Sequence, residues 1–523
     1  MRAVIVTKRI ASLVRAWLLL SVWPGAPAAV LAGAASREGP PNIVLIYADD
    51  HAQRAVGCYG SPLVATPNID RLAAEGVRFT QSFVANSICA PARATVLTGL
   101  HSAANGQTTN GGGFDDGLPT WPKLLGAAGY ETAMIGKWHL PTDPSGFDHW
   151  VIARGGYYNP DLVRPGSRER ATGYTTEVLT DEALSWLEGR ADSEEPFVLW
   201  WSHAAVHRTW MPGPSWHGLH AEGAHPEPAT LFDDYSGRSP AAAAAQMRIA
   251  EDLFRAYDLK LPPTGEGVLD ARAAAMLERL TGDQRRAWEE AYAAPNAAFA
   301  AERPEGDDLV RWKYQRYVAD YLRCVSALDD AVGRLVDWLD EAGLAEDTVV
   351  IYTSDQGFFL GEHGWYDKRW MYEPSFATPL IVRWPGRAEA GTTCSELVQN
   401  IDLAPTLLAL GGVDVPGSMH GVSLRPLIEG VHLFTWRREV YYEYFQRDSG
   451  RLSHTVAPHY GLRTQRHKLL HVPDHDFWEL YDLHLDLDET TNLYADPAHA
   501  ALVATLAPRL ATLRERYGGP ADR

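Results

Sequence analysis

Cysteine is scarce, four in 523 residues, which excludes a fold held together by a disulfide framework. Basic residues are also short: 47 Lys and Arg stand against 66 Asp and Glu, a net charge of −19. A chain of that sign has no broad cationic face, so nucleic acid is excluded as a general partner, and any anionic ligand must be drawn by a local cluster. Beyond residue 34 no apolar run reaches the length that spans a bilayer, so no stable membrane span is expected. There is no internal repeat, and the alanines after Pro240 are the only low-complexity run.

The first 34 residues read as a secretory signal. Arg2, Lys8, Arg9 and Arg15 precede the apolar run from Ala16 to Trp23, and Ala32-Gly33-Ala34 offers small residues for cleavage. Pro24 and Pro27 interrupt the run, which argues against a retained anchor. The protein is therefore expected to be exported, to the periplasm or outside the cell. Cys58, Cys324 and Cys394 would then leave room for at most one disulfide if Cys89 is chemically engaged.

Apolar β-branched runs alternate with helical periodicity along most of the chain. This predicts an α/β fold with a mostly parallel central sheet sandwiched by helices. Four of the runs end in charged or imidazole groups. Asn42 to Ala48 leads into Asp49-Asp50, and Thr348 to Thr353 leads into Ser354-Asp355-Gln356-Gly357. Thr132 to Ile135 leads into Gly136-Lys137-Trp138-His139, and Phe197 to Trp201 leads into Ser202-His203 with His207 close behind. Ligands bind beyond the carboxyl ends of such strands, so the four endings predict one convergent site. Three carboxylates and an amide oxygen, from Asp49, Asp50, Asp355 and Gln356, suit a hard divalent cation such as calcium or magnesium. The simpler alternative is that the aspartates cap local turns.

Cys89 stands at a predicted helix start, followed by Pro91 and Arg93. Free backbone N–H groups, the helix dipole and a planar cationic fork all favour an anion there. An ordinary buried thiol is the competing reading. Lys368, in the Gly-, His- and aromatic-rich run Gly361 to Glu373, adds a further cation.

The run Cys89-Ala90-Pro91-Ala92-Arg93, continued by Leu97-Thr98-Gly99, resembles the C-x-P-x-R signature of the formylglycine-dependent sulfatases, within the alkaline phosphatase superfamily. Gly129 to His139 resembles their second signature, and Ser202 to His207 the segment with their catalytic histidine. The resemblance implies that a maturation enzyme oxidises Cys89 to formylglycine, whose hydrate is the nucleophile. It implies that Asp49, Asp50, residue 89, Asp355 and Gln356 hold calcium or magnesium. Lys137, His139 and Lys368 would bind sulfate oxygens, Arg93 would lie beside the nucleophile, and His207 or Lys368 would protonate the leaving alcohol. The nearest branch is that of N-acetylglucosamine-6-sulfatases and related glycan sulfatases, with His203, His363, His454, His459 and Arg463 as further substrate-binding candidates. Departures are Ala92 for Ser, Gln356 for Asn, Ala204 for Lys and Ala377 for Arg. Two other functions are compatible with these residues: a phosphomonoester or phosphonate diester hydrolase, and an unmatured glycan-binding protein.

A catalytic domain over residues 35–435 and a small α+β subdomain over 436–523 are expected. Within the former, 208–308 is expected to be a mainly helical insertion. Its features are a helical stripe of Ile249, Leu253 and Tyr257, a capping box at Thr281 and Gln284, and a long helix from Lys313 to Leu339 after it. Val440 to Tyr444 and His467 to His471 are predicted strands of an antiparallel sheet. The closing helix after Asp496-Pro497 should carry Leu502, Leu506, Leu510 and Leu513 on one side and kink at Pro508.

Overall fold

The computed structural model describes residues 39–265, 267–447 and 454–518; the predicted signal at 1–34 lies outside them. Asn42–Ala48 and Thr348–Ser354 are buried at every position and pair in parallel, with Ala48 opposite Ser354. Phe197–Ser202 and Glu131–Gly136 continue the parallel set, Ser202 lying opposite both Tyr47 and Gly136. The register brings the four carboxyl ends to one edge, so the residues that follow them are delivered together. Burial on both faces explains the unbroken apolar runs. Ile46, Trp201 and Tyr352 belong to the core on one side of the sheet, and Leu45, Trp200 and Ile351 to the core on the other.

The whole sheet has ten strands and is mixed. Its centre is parallel, while Leu380–Arg383 and the Asp161–Arg164 and Ser167–Arg170 hairpin pair antiparallel on the flanks. Exposed residues throughout Ser167–Arg170 show why the periodicity of the buried centre does not extend to this edge. Among the described residues no helix is long and apolar enough to cross a membrane. All four cysteines are free, so the single disulfide allowed by the sequence is not formed.

The insertion is less helical than its composition predicts. Thr281 and Gln284 do form the capping box of Gly282–Glu302, and Ser239 caps the short Pro240–Ala243 turn. The expected stripe through Leu253 and Tyr257 breaks after Ile249–Asp252. Leu253 adopts an extended conformation, and the Asp258 carboxylate takes the Phe254 N–H at 2.8 Å. The long helix runs further than expected, over Gly306–Glu341.

A four-stranded antiparallel sheet, from Glu439–Tyr444 through Phe477–Asp482, carries the C-terminal region. Leu506 and Leu510 of the Ala500–Tyr517 helix are buried in a core shared with this sheet. The helix continues through Pro508. Pro508 and Ala504, whose carbonyl it leaves free, lie on the exposed face, where solvent can donate to that carbonyl in place of the lost N–H.

Gly136 fixes the approach to Lys137. Its φ is +121°, and a Cβ there would lie 1.7 Å from the Ser202 carbonyl oxygen. Gly136→Ala is expected to destabilise the protein by roughly 3 kcal/mol or more, read as a lower denaturant midpoint at unchanged slope.

Candidate active site

Asp49, Asp50 and Asp355 are fully buried at the sheet edge, and one oxygen from each lies within 4.8 Å of the others. The Asp50 N–H donates to Asp355 at 3.0 Å, and the Asp49 N–H to the Ala205 carbonyl at 3.0 Å. Burial, and next the Asp49 charge, push the Asp355 carboxyl well above its ordinary pKa. That is the behaviour of carboxylates crowded into one buried site; against the same burial, the Lys137 charge holds the Asp49 carboxyl well below its ordinary pKa.

Cys89 opens the Cys89–Thr98 helix. Its Sγ is 3.4 Å from Asp49 Oδ1 and 3.4 Å from Gln356 Nε2, so the thiol faces the acidic cluster rather than hydrocarbon. Burial raises the thiol pKa, opposed by Lys137 and Lys368. Gln356 Nε2 also donates to Asp50, while its Oε1 is buried without a partner. An orphaned amide oxygen beside three carboxylates fits a hard cation, which would draw that oxygen inward. The extra methylene of Gln356 therefore does not keep it out of the cluster.

The cations surround these groups. Arg93 is completely buried and donates to the Lys137 carbonyl at 2.9 Å, to Ser202 Oγ at 2.6 Å and to Asp355 at 3.1 Å. Lys137 pairs with Asp49. Lys368 pairs with Asp50 at 2.6 Å and lies 3.5 Å from Asp367. Although burial opposes it, the Asp50 charge holds the Lys368 ammonium above its ordinary pKa. His207 Nδ1 lies 2.6 Å from the Arg208 carbonyl, which makes Nδ1 the protonated nitrogen of that contact and turns Nε2 toward Asp50 at 3.8 Å. The pocket walls, and then Lys368, hold this imidazole below its usual pKa. His139 is exposed and lines a neighbouring cavity that shares Lys137, its imidazole lowered likewise by its surroundings and by Lys137.

A cavity of about 350 Å³ opens onto Asp49, Lys137 and His207, with Tyr157, Tyr257 and Met276 in its wall. Ala204 lines it too, where the resemblance implies a lysine in relatives.

Four of the five further substrate-binding candidates are placed elsewhere. His203 is buried against Trp201, with ring centroids 4.2 Å apart. Strand alternation carries it to Trp201's side of the sheet and not into the cavity. His363 is buried between Asp233 and Arg238. His459 accepts the Met371 N–H at 3.1 Å, and Arg463 is buried against Glu373 and over Phe83. His459 and Arg463 thereby tie the 361–373 loop to the C-terminal sheet, and His363 ties that loop to the insertion. Only His454 keeps an open edge, 29% exposed, and is joined to Asp367 at 2.7 Å and Arg369 at 2.6 Å beside Lys368. Ser202, which anchors Arg93, was not singled out by sequence; a serine ending a buried strand was the available signal.

The sulfatase family model matches residues 41–413, and the model for the C-terminal region of N-sulphoglucosamine sulphohydrolase matches residues 361–516. The N-acetylglucosamine-6-O-sulfatase of Bacteroides thetaiotaomicron is 42% identical over 91% of this chain and 87% of its own length. The steryl-sulfatase of Mus musculus is 30% identical over 76% of this chain and 66% of its own. A protein solved in complex with its substrate D-glucosamine-2-N,6-O-disulfate superposes with a TM-score of 0.88, at 42% identity, covering 91% of this chain and 98% of that one. The chain belongs to the sulfatase family and is a sulfuric ester hydrolase.

Proposed function

We propose that this sulfatase removes the 6-O-sulfate of a glucosamine-type residue in a sulfated glycan, acting outside the cytoplasm. The reading rests on the 42% identity, across 91% of the chain, to a relative named N-acetylglucosamine-6-O-sulfatase. Asp49, Asp50, Asp355 and the amide oxygen of Gln356 would hold calcium, which as a Lewis acid would withdraw charge from the sulfate oxygens. Cys89, once oxidised to formylglycine by a maturation enzyme, supplies through its hydrate one hydroxyl for attack and a second that lets sulfate leave.

The remaining chemistry belongs to side chains in place. Arg93 is locked by Ser202 and the Lys137 carbonyl, so its guanidinium stays beside residue 89 without reorganisation. Lys137 and His139 from one segment and Lys368 from another bind the sulfate oxygens. His207 presents Nε2 to the cavity and, as the imidazolium that the negative charge of a bound sulfate ester favours, gives the Nε2 proton to the leaving sugar oxygen while Nδ1–H stays on the Arg208 carbonyl. Lys368 is the weaker donor, because its ammonium is stabilised by Asp50.

A donor to the leaving group matters most for a poor leaving group. His207→Gln is expected to slow hydrolysis of glucosamine-6-sulfate roughly 10²- to 10⁴-fold in kcat. Turnover of 4-nitrophenyl sulfate, whose phenolate needs no proton, should change far less. Equal losses on both esters would remove His207 from this role. For substrate class, glucosamine-6-sulfate should be hydrolysed with higher kcat/KM than galactosamine-6-sulfate or 4-nitrophenyl phosphate; the reverse order would overturn the proposal.

A further inference from the structure

In the cavity wall, the 254–261 loop grips Arg208 and Thr209, the first two residues of the insertion and the two that follow His207. The Arg208 guanidinium makes a two-point pair with Asp258, Nε to Oδ1 at 2.6 Å and Nη2 to Oδ2 at 2.5 Å, and Asp258 is fully buried. Lys260 Nζ donates to the Thr209 carbonyl and, at 2.7 Å, to the Asp258 carbonyl. The grip is itself anchored. Asp258 also accepts the Phe254 N–H, Asn296 holds the Lys260 carbonyl at 2.9 Å, and Arg316 reaches the Leu259 carbonyl at 3.3 Å. The 254–261 loop is thus tied to both long helices and to the chain after His207.

This connection bears on the imidazole because the group that fixes its ring is the Arg208 carbonyl, 2.6 Å from Nδ1. The Tyr157 hydroxyl holds the His207 carbonyl at 2.6 Å from the other side. The ring's direction therefore depends on where the Arg208 peptide stands, and Asp258 and Lys260 set that position. A two-point Arg–carboxylate pair resists rotation as well as translation, which a single contact does not.

We infer that Asp258 and Lys260 are positioning residues for His207, so that the insertion, through Arg208 and Thr209, aims Nε2 at the leaving-group oxygen. The inference rests on the donor role proposed for His207. The same loop puts Tyr257 into the cavity wall, so the segment that aims the donor also shapes the space for the sugar.

The test is steady-state kinetics of Asp258→Asn, Asp258→Glu and Lys260→Met on glucosamine-6-sulfate and 4-nitrophenyl sulfate, with His207→Gln alongside and Asp283→Asn as an exposed control in the same insertion. Asp258→Asn should lose about 10- to 100-fold in kcat on the sugar ester, the loss expected for misplacing a reacting group by about an ångström. KM should stay within about twofold and the aryl ester be nearly unaffected. Lys260→Met should show the same selectivity, and Asp258→Glu should recover part of the rate. A variant that merely unfolds lowers both esters alike, so equal losses in Asp258→Asn and Lys260→Met overturn the inference. So does an unchanged sugar-ester rate in both while His207→Gln stays selective, a result that leaves the donor role standing. An unselective His207→Gln instead removes the donor role, and the inference with it.

Discussion

Cys89→Ser should leave a folded protein that turns over no more than about one substrate per active site, with steady-state kcat down roughly 10⁴-fold or more. The side chain is almost completely enclosed, with Asp49 and Gln356 each 3.4 Å from its sulfur. A serine hydroxyl fits that space and meets the same charges, so substrate still binds. What it lacks is a second hydroxyl on the same carbon, and a sulfated serine would have no internal route to expel sulfate. Two measurements check this. Mass spectrometry of the residue-89 peptide from the native host should find the sulfur replaced by oxygen with loss of two hydrogens, and the Cys89→Ser protein should retain sulfate on that peptide. A fully reduced thiol in active enzyme would sink the formylglycine assignment. Cys58→Ser is the control: burial pushes the Cys58 thiol up to about 12, and it lies outside the cavity, so activity should persist.

The site was legible because the sheet writes its own ends. Residues 42–48 and 348–354 are buried on both faces, so each is an unbroken apolar run whose first polar residues mark the carboxyl edge. Asp49, Asp50, Asp355, Lys137 and His207 could be found for that reason, and Cys89 and Arg93 by their helix start. The peripheral candidates failed for the complementary reason. His203 and His207 are four residues apart and chemically alike, but only the pairing around Tyr47 and Trp201 decides which faces the cavity. His459 and Arg463 lie on a strand of the C-terminal sheet, where alternation sends them into contacts with Met371 and Glu373 that are 88 and 90 residues away in sequence. The Arg208–Asp258 pair spans 50 residues, across a segment whose helical stripe promised a different shape. No local pattern announces such partners.

Charge accounting leads to the second large effect, loss of activity on metal removal. Asp49, Asp50 and Asp355 face Arg93, Lys137 and Lys368, so the protein's own charges in this pocket balance. In a chain of net charge −19, a balanced pocket has little to draw a sulfate ester inward. A bound dication would tip the balance, and were it to take over Asp49 and Asp50, Lys137 and Lys368 would be free to turn from those carboxylates to the substrate. Exhaustive chelation should therefore lower kcat/KM roughly 10³-fold, a few kcal/mol of transition-state stabilisation, and calcium should restore it. Calcium should also raise the unfolding midpoint, since a ligand at 100 times its Kd adds about 2.7 kcal/mol to the native state. Asp355→Asn separates the two readouts from general damage: it should weaken the calcium-dependent midpoint shift and the rate together, while the midpoint without calcium rises or holds as a crowded carboxylate disappears. Full activity in protein shown by elemental analysis to be free of metal would refute the metal site, and the two lysines would then keep Asp49 and Asp50 as their permanent partners.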